Sequence, residues 1–117
     1  MKKSKNLKKV SFDFAYELFK MKDSFPEDEK TFMGMEIVKE AVSVCACISN
    51  AVQVDCTDVK EKLLQEAFSA TFRIEVLLEI SRDLNYLDTV DEQLHTLGKI
   101  RTRLEKLIKD IKFQFPY

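Results

Sequence analysis

Apolar side chains recur along this chain with the spacing of an α-helix, and they divide it into four segments. Breaks near Pro26, Asp55 and Asn85 separate the segments. The pattern predicts an all-α chain with a basic tail at 1–6 and an aromatic tail at 114–117. The predicted helices cover about 7–23, 27–54, 58–84 and 89–113.

The second predicted helix carries the most apolar stretch of the chain. Fourteen residues between Glu40 and Asp55 have no charge, and most are small. Such a helix must be covered on more than one side, so we place it at the centre of a bundle. Gly34 costs its first third about 1 kcal/mol relative to Ala. The expected apolar face contains Val38, Ala41, Val42, Cys45, Ile48 and Val52, with Ile37, Val44 and Ala51 beside it.

The other three helices each show one apolar seam with alternating steps of three and four residues. Short connections join antiparallel neighbours, so the chain is predicted to be an up-down-up-down four-helix bundle. The seams are Leu7, Ser11, Phe14, Leu18, Met21 and Phe25 in helix 1; Leu63, Ala67, Ala70, Ile74, Leu77, Ser81 and Leu84 in helix 3; and Leu94, Leu97, Arg101, Leu104, Ile108 and Ile111 in helix 4.

Helix 3 has a second apolar stripe, nearly opposite its seam, formed by Phe72, Val76 and Ile80. An isolated bundle would leave this stripe in water. It is either extra core, covered by the C-terminal tail or by helix tilt, or a subunit interface. We favour the interface, because soluble monomers rarely expose a contiguous apolar ridge. Helix 1 similarly has an aromatic flank beside its seam, which consists of Phe12, Tyr16 and Phe19.

Local signals mark the helix ends. Thr57 or Asp55 is suited to cap helix 3 at its start. Asn85 can adopt the left-handed conformation that ends a helix. Thr89 and Glu92 have the spacing of a capping box for helix 4.

The formal net charge of -1 hides an uneven distribution. Residues 1–22 carry +5, residues 23–93 carry -10 and residues 94–117 carry +4. The outer side of helix 4 presents a basic row. On sequence alone the row is either an ordinary solvated face or a phosphate-binding patch for RNA or DNA. Its residues are Lys99, Arg103, Lys106 and Lys109.

The chain lacks the residue sets that common catalytic and metal sites need. His95 is the only histidine, so a di-iron bundle with paired Glu-x-x-His motifs is excluded. We expect it on the surface. Cys45 and Cys47 point about 200° apart on a helix and cannot bind one metal ion together. We therefore predict no catalytic, cofactor-binding or metal-binding residue, no small-molecule substrate and no enzymatic activity.

Three cysteines, an odd number without C-x-x-C spacing, indicate reduced thiols and a cytoplasmic location. The N-terminal lysines precede no apolar segment, so we expect no signal peptide. Fourteen uncharged residues are too few to span a bilayer, so we expect no membrane association.

Several short segments, in this order and spacing, resemble a bacterial protein family. The matching residues are Phe25-Pro26 with Glu29, Ala41-Val42-Ser43-Val44, Ala67-Phe68-Ser69-Ala70, Asp83-Leu84-Asn85-Tyr86-Leu87 and Leu107-Ile108. Over about 14–111 the chain thus resembles the four-helix bundle proteins encoded by intervening sequences in 23S ribosomal RNA genes, also described as ribosomal-protein-like. Where that family has an Arg-Arg pair before the second segment, this chain has Val38-Lys39.

The resemblance implies a ring-shaped homopentamer without enzymatic activity. The family is also similar to the accessory protein of diversity-generating retroelements, which binds nucleic acid and a reverse transcriptase. Our first hypothesis is a non-enzymatic, homo-oligomeric scaffold that contacts nucleic acid through its basic rows. The alternative is a protein-binding adaptor or accessory subunit without a nucleic-acid role, which the acidic middle of the chain favours.

Overall fold

The computed structural model describes residues 2–114, with side chains from residue 6 to residue 112. Within this range the chain contains no β-strand, and four long helices form a bundle 49 Å long and about 20 Å across. The predicted all-α four-helix bundle is confirmed. The helices are α1 (Lys2–Met21), α2 (Met35–Gln53), α3 (Thr57–Asp83) and α4 (Asp91–Gln114).

The connection from α1 to α2 contains three short helical segments of different type, interrupted by extended backbone at Phe25 and Pro26. A 3-10 turn at Lys22–Ser24 is followed by one α-helical turn at Glu27–Glu29 and a π-helical segment at Lys30–Gly34. A Cβ on Gly34 would lie 3.1 Å from the Cβ of Lys22, so glycine permits this close approach. The region that we expected to be weak is therefore where the helical hydrogen-bonding pattern changes.

Each helix packs against two others, in the order α1, α2, α3, α4 and back to α1. The contact between α1 and α4 is the least extensive of the four. Consequently α1 and α3 lie on one diagonal of the bundle, and α2 and α4 lie on the other. The largest fully buried side chains are Leu7, Leu18, Ile37, Ile48, Ile74, Leu78, Val90, Leu97, Ile100 and Leu104.

The buried face of α2 differs from the prediction at two positions. Val42 is 53% exposed and Val52 is 37% exposed, whereas Val44 and Ala51 are buried. Val52 lies in the last turn of α2, which ends at Gln53. The exposure of Val42 follows from the packing of α2, which is more extensive on α3 than on α1. Its buried arc is therefore rotated toward α3, the side on which Val44 and Ala51 lie.

The seam of α1 is buried as predicted, except that Met21 is only partly covered. In α3 the buried face instead turns toward α4. Leu64, Thr71 and Leu78 are buried, while Leu63 and Leu77 are half-buried and Leu84 is exposed. In α4 the core comprises Leu97, Ile100, Leu104 and Ile108, and Arg101, Leu94 and Ile111 are half-buried at its edges.

The predicted ends of the chain also need correction. The α1 helix begins at Lys2, within the segment that we expected to be a tail at 1–6, because lysine is a good helix former. The α4 helix reaches Gln114. Residues 115–117 of the predicted aromatic tail lie outside the described residues, as does Met1.

The caps are partly as predicted. Cys56, not Thr57 or Asp55, occupies the N-cap of α3, and it forms no side-chain cap bond. Thr57 is instead the first residue of the helix. Before α4 the hydroxyl of Thr89 accepts a 3.3 Å hydrogen bond from the backbone N–H of Asp91, two residues on, rather than from that of Glu92 as the predicted capping box requires. No helix within residues 2–114 has both the length and the apolar composition needed to cross a bilayer.

Candidate functional site

The α3 stripe, formed by Phe72, Val76 and Ile80, lies on the outer face of the bundle. Its three side chains are between 40% and 52% exposed. Ile74, on the opposite side of the same helix, is fully buried. The described residues therefore leave the stripe uncovered, and neither helix tilt nor neighbouring side chains add it to the core.

The ring of Phe72 is held in place by two neighbours. Phe68 packs edge-on, with the ring centroids 5.2 Å apart. The guanidinium of Arg101 from α4 lies over the ring at 3.9 Å from its centroid. The Arg101 Nη2 also donates to Glu75 at 2.7 Å, and its Nε donates to the buried hydroxyl of Thr71 at 3.2 Å. Arg101 thus connects α4 to the edge of the stripe.

A second arginine borders the opposite edge of the stripe. Arg73 donates to Glu40 of α2 at 2.8 Å and to Glu66 of α3 at 2.7 Å. Hydrogen bonds to these two carboxylates raise the pKa of Arg73 above its usual range. The stripe therefore has an apolar centre between two charged bridges, the arrangement of apolar core and polar rim found in protein interfaces.

The predicted basic row of α4 lies on the surface of the bundle. Lys99, Arg103, Lys106 and Lys109 are all exposed, and within the described part of the chain none of them forms an ion pair. Steps of four and three residues separate the first three by about 6 Å and about 4.5 Å along the helix axis. The row therefore presents several positive charges that have no ion-pair partner among the described residues.

Two shallow grooves run beside this row. One, of about 550 Å³, is lined by Leu94, His95, Gly98, Lys99, Thr102 and Arg103. The other, of about 280 Å³, lies between the start of α1 and the end of α4, and its lining includes Asn6, Arg103, Lys106 and Leu107. His95 is exposed, as expected, and it lines the same groove as Lys99 and Arg103.

The cysteines are three free thiols in three different environments. Cys45 is buried and donates to the backbone oxygen of Ser11 at 3.1 Å, Cys47 is half-buried and Cys56 is exposed. Burial raises the pKa of the Cys45 thiol. Burial and the nearby carboxylate of Glu66 raise the pKa of the Cys47 thiol. The residues that the structure describes contain no group of His, Cys, Asp and Glu able to hold a metal ion.

The aromatic flank of α1 has lysines over its rings, a feature that was not predicted from the sequence. Phe12, Tyr16 and Phe19 are all exposed, and an ammonium group lies over each ring. The nitrogen-to-centroid distances are 5.7 Å for Lys8 over Phe12, 4.7 Å for Lys20 over Tyr16 and 4.5 Å for Lys22 over Phe19. The sequence does contain the spacing that allows these contacts, because each lysine is three or four residues from its aromatic ring and such residues are neighbours on a helix.

Comparison of the chain with protein-family models, with curated proteins and with solved structures found no match in any of the three.

Proposed function

We propose that this chain is a non-enzymatic, homo-oligomeric four-helix scaffold that acts in the cytoplasm and binds nucleic acid through repeated basic rows. The α3 stripe is the subunit contact in this proposal, and the basic row of α4 is the nucleic-acid contact. The resemblance to the proteins encoded by 23S ribosomal RNA intervening sequences suggests a ring of five chains. The three free thiols support the cytoplasmic location.

One observation carries the assembly: the exposed α3 stripe lies between two charged bridges, and one bridge already orients the Phe72 ring. A side chain that is ordered before association loses less conformational entropy on binding. Contiguous exposed apolar residues with a polar rim are typical of interaction sites. A second copy of the chain would cover the stripe.

Absolute mass by light scattering on a sizing column tests the assembly. The wild-type chain should elute as a multiple of 13.7 kDa, and five copies would support the ring. Phe72→Glu should give a smaller species with unchanged helix content by circular dichroism. Val59→Glu is a matched control, since Val59 is on the same helix and, like Phe72, is 43% exposed. A wild-type monomer, or a Phe72→Glu variant with the wild-type mass, would contradict this assignment.

The unpaired α4 row supports the nucleic-acid part of the proposal. Assembly repeats the row in every subunit, and multivalency strengthens a weak single contact. We expect a labelled RNA or DNA oligonucleotide to bind with an affinity that falls steeply as salt is raised. Replacing Lys99, Arg103 and Lys106 together by Glu should abolish this binding. The same reversal at Lys39, Lys60 and Lys62 is the control, and it should have a smaller effect.

A protein-binding adaptor is the second candidate function. The net charge of -10 over residues 23–93 favours it, because an acidic surface repels phosphates. Fluorescence anisotropy at low salt separates the two functions. An assembled wild-type chain that binds neither RNA nor DNA at low salt would exclude the nucleic-acid role and leave the adaptor.

A further inference from the structure

Two exposed apolar surfaces lie on different helices of this chain. The first is the α3 stripe. The second, here called the α1 surface, consists of Phe12, Tyr16 and Phe19 with the lysines over their rings. The rings are spaced i, i+4 and i+7, the spacing by which one helix packs into the groove of a partner. The α1 surface is therefore also built for contact with a helix.

The two surfaces carry opposite charges. Residues 8–22, which contain the α1 surface, have four lysines and two acids. Residues 66–83, which contain the α3 stripe, have four acids and two arginines. Within the described chain, Lys8 and Lys20 on one surface and Glu79 on the other form no ion pair. Opposite charge around two apolar centres favours contact between them over contact of either with itself.

The fold keeps the two surfaces apart within one molecule. They lie on α1 and α3, which are diagonal in the bundle, and both face outward. A single chain therefore cannot join its own surfaces. Two copies can, and each contact leaves one α1 surface and one α3 stripe free at the two ends of the pair.

We propose that the partner of the α3 stripe is the α1 surface of a second copy. This inference rests on the homo-oligomer proposed above, and it adds which surface of the next subunit the stripe meets. Contact between two different surfaces is head-to-tail, and it closes into a ring when the rotation between subunits permits. An isologous pair, stripe against stripe, would bring two acidic borders together and would stop at a dimer.

A mixing experiment with two variants tests the pairing. Tyr16→Glu/Phe19→Glu blocks the α1 surface, and Phe72→Glu blocks the stripe. All three positions are exposed, so each variant should keep the helix content of the wild type. Each variant alone should be a monomer in light scattering. In an equal mixture, the Tyr16→Glu/Phe19→Glu variant supplies an intact α3 stripe and the Phe72→Glu variant supplies an intact α1 surface. The mixture should therefore form a heterodimer of twice the 13.7 kDa chain mass and nothing larger.

The outcomes distinguish this inference from the proposal on which it rests. A monomeric wild-type chain contradicts both. An oligomeric wild type together with a Tyr16→Glu/Phe19→Glu variant of unchanged mass leaves the homo-oligomer and overturns the head-to-tail pairing. Two folded variants that stay monomeric when mixed overturn the pairing as well.

A charge variant covers the case in which the glutamates at ring positions disturb folding. Lys8→Glu/Lys20→Glu leaves all three rings in place and reverses the charge beside two of them. Association should weaken about tenfold or more at low salt, and the loss should shrink as salt is raised. Association that is equally strong in this variant and in the wild type would overturn the inference.

Discussion

The guanidinium carbon of Arg101 lies 3.9 Å from the centroid of the Phe72 ring, while the Nη2 of the same side chain donates to Glu75 at 2.7 Å. One residue of α4 thus fixes an aromatic ring on the outer face of α3 and ties the two helices together. Because Arg101 is half-buried, its bonds are less screened by water than those of an exposed pair. Arg101 therefore stabilises the packing of α4 on α3, and in the proposed assembly it also orients a residue of the subunit contact.

Arg101→Met should lower the free energy of unfolding by about 1–2 kcal/mol, since the hydrogen bonds to Thr71 and Glu75 are lost. The free energy of unfolding of Arg101→Lys should lie between those of Arg101→Met and the wild type, because the lysine ammonium keeps the charge but lacks the planar guanidinium that donates several hydrogen bonds at once. Urea unfolding at low protein concentration measures both. Equal stability of the three proteins would show that the Arg101 bonds contribute nothing.

Asn85 ends α3 in the left-handed conformation, with φ of 64°. The N–H of Tyr86 bonds to the oxygen of Ser81 at 2.8 Å, and the N–H of Asn85 bonds to the oxygen of Arg82 at 2.9 Å. This is the Schellman motif. Asn85→Ala should lower the free energy of unfolding by about 1 kcal/mol in thermal or urea unfolding, because Ala lacks the short polar side chain whose local hydrogen bonds make the left-handed conformation tolerable for Asn. Asn85→Gly should be at least as stable as the wild type. An Asn85→Gly variant that is less stable than Asn85→Ala would contradict this explanation.

The three thiols should react with a disulfide reagent in the order of their exposure. Cys56 is exposed and should react first, Cys47 second and Cys45 last, because thiolate formation and access both control the rate. Stopped-flow measurements on the three single-cysteine variants, at a pH below 9, give the separate rates. In denaturant the three rates should converge. A fast Cys45 in the folded protein would mean that α1 and α2 separate readily.

The buried thiol also predicts a loss of stability at alkaline pH. The pKa of Cys45 in the folded chain is raised above its ordinary value of 9.0, so the folded state favours the neutral thiol. Its contribution is fully present below pH 9.0 and is lost as pH rises through the folded pKa. Urea unfolding of the wild type and of Cys45→Ala, below and above that pH, measures the effect. The stability advantage of the wild type should decrease with pH, and a constant difference would contradict this origin.

Core and stripe positions on α3 should respond differently to truncation. Ile74→Ala removes a fully buried side chain and should cost about 2–5 kcal/mol. Val76→Ala, two residues away on the exposed face, should change the stability of the monomer by less than about 0.5 kcal/mol. The Phe72→Glu background supplies the monomer for these unfolding measurements. A large loss at Val76 in that background would place the stripe inside the core of one chain.

Some features of the site could be recognised without the structure. The steps of three and four residues identified nearly the whole seam of α1, and Asn85 was recognised as the end of α3. Phe72, Val76 and Ile80 were expected on the face opposite Ile74, and they are exposed there. Their role as an interface stays a prediction, as does the role of Lys99 and its neighbours in α4.

Local periodicity, together with the residues that favour or break helices, was enough to predict the number of long helices, their approximate limits and the apolar side of each. Which residues are buried at the flanks of each helix depends on how the helices pack against one another, and this is seen only in the folded chain. Whether Val42 or Val44 is buried depends on which neighbour packs closer. Arg101 and Arg73 likewise each pair with a carboxylate on another helix, and the spacing within one helix holds no information about the side chains that its neighbours present.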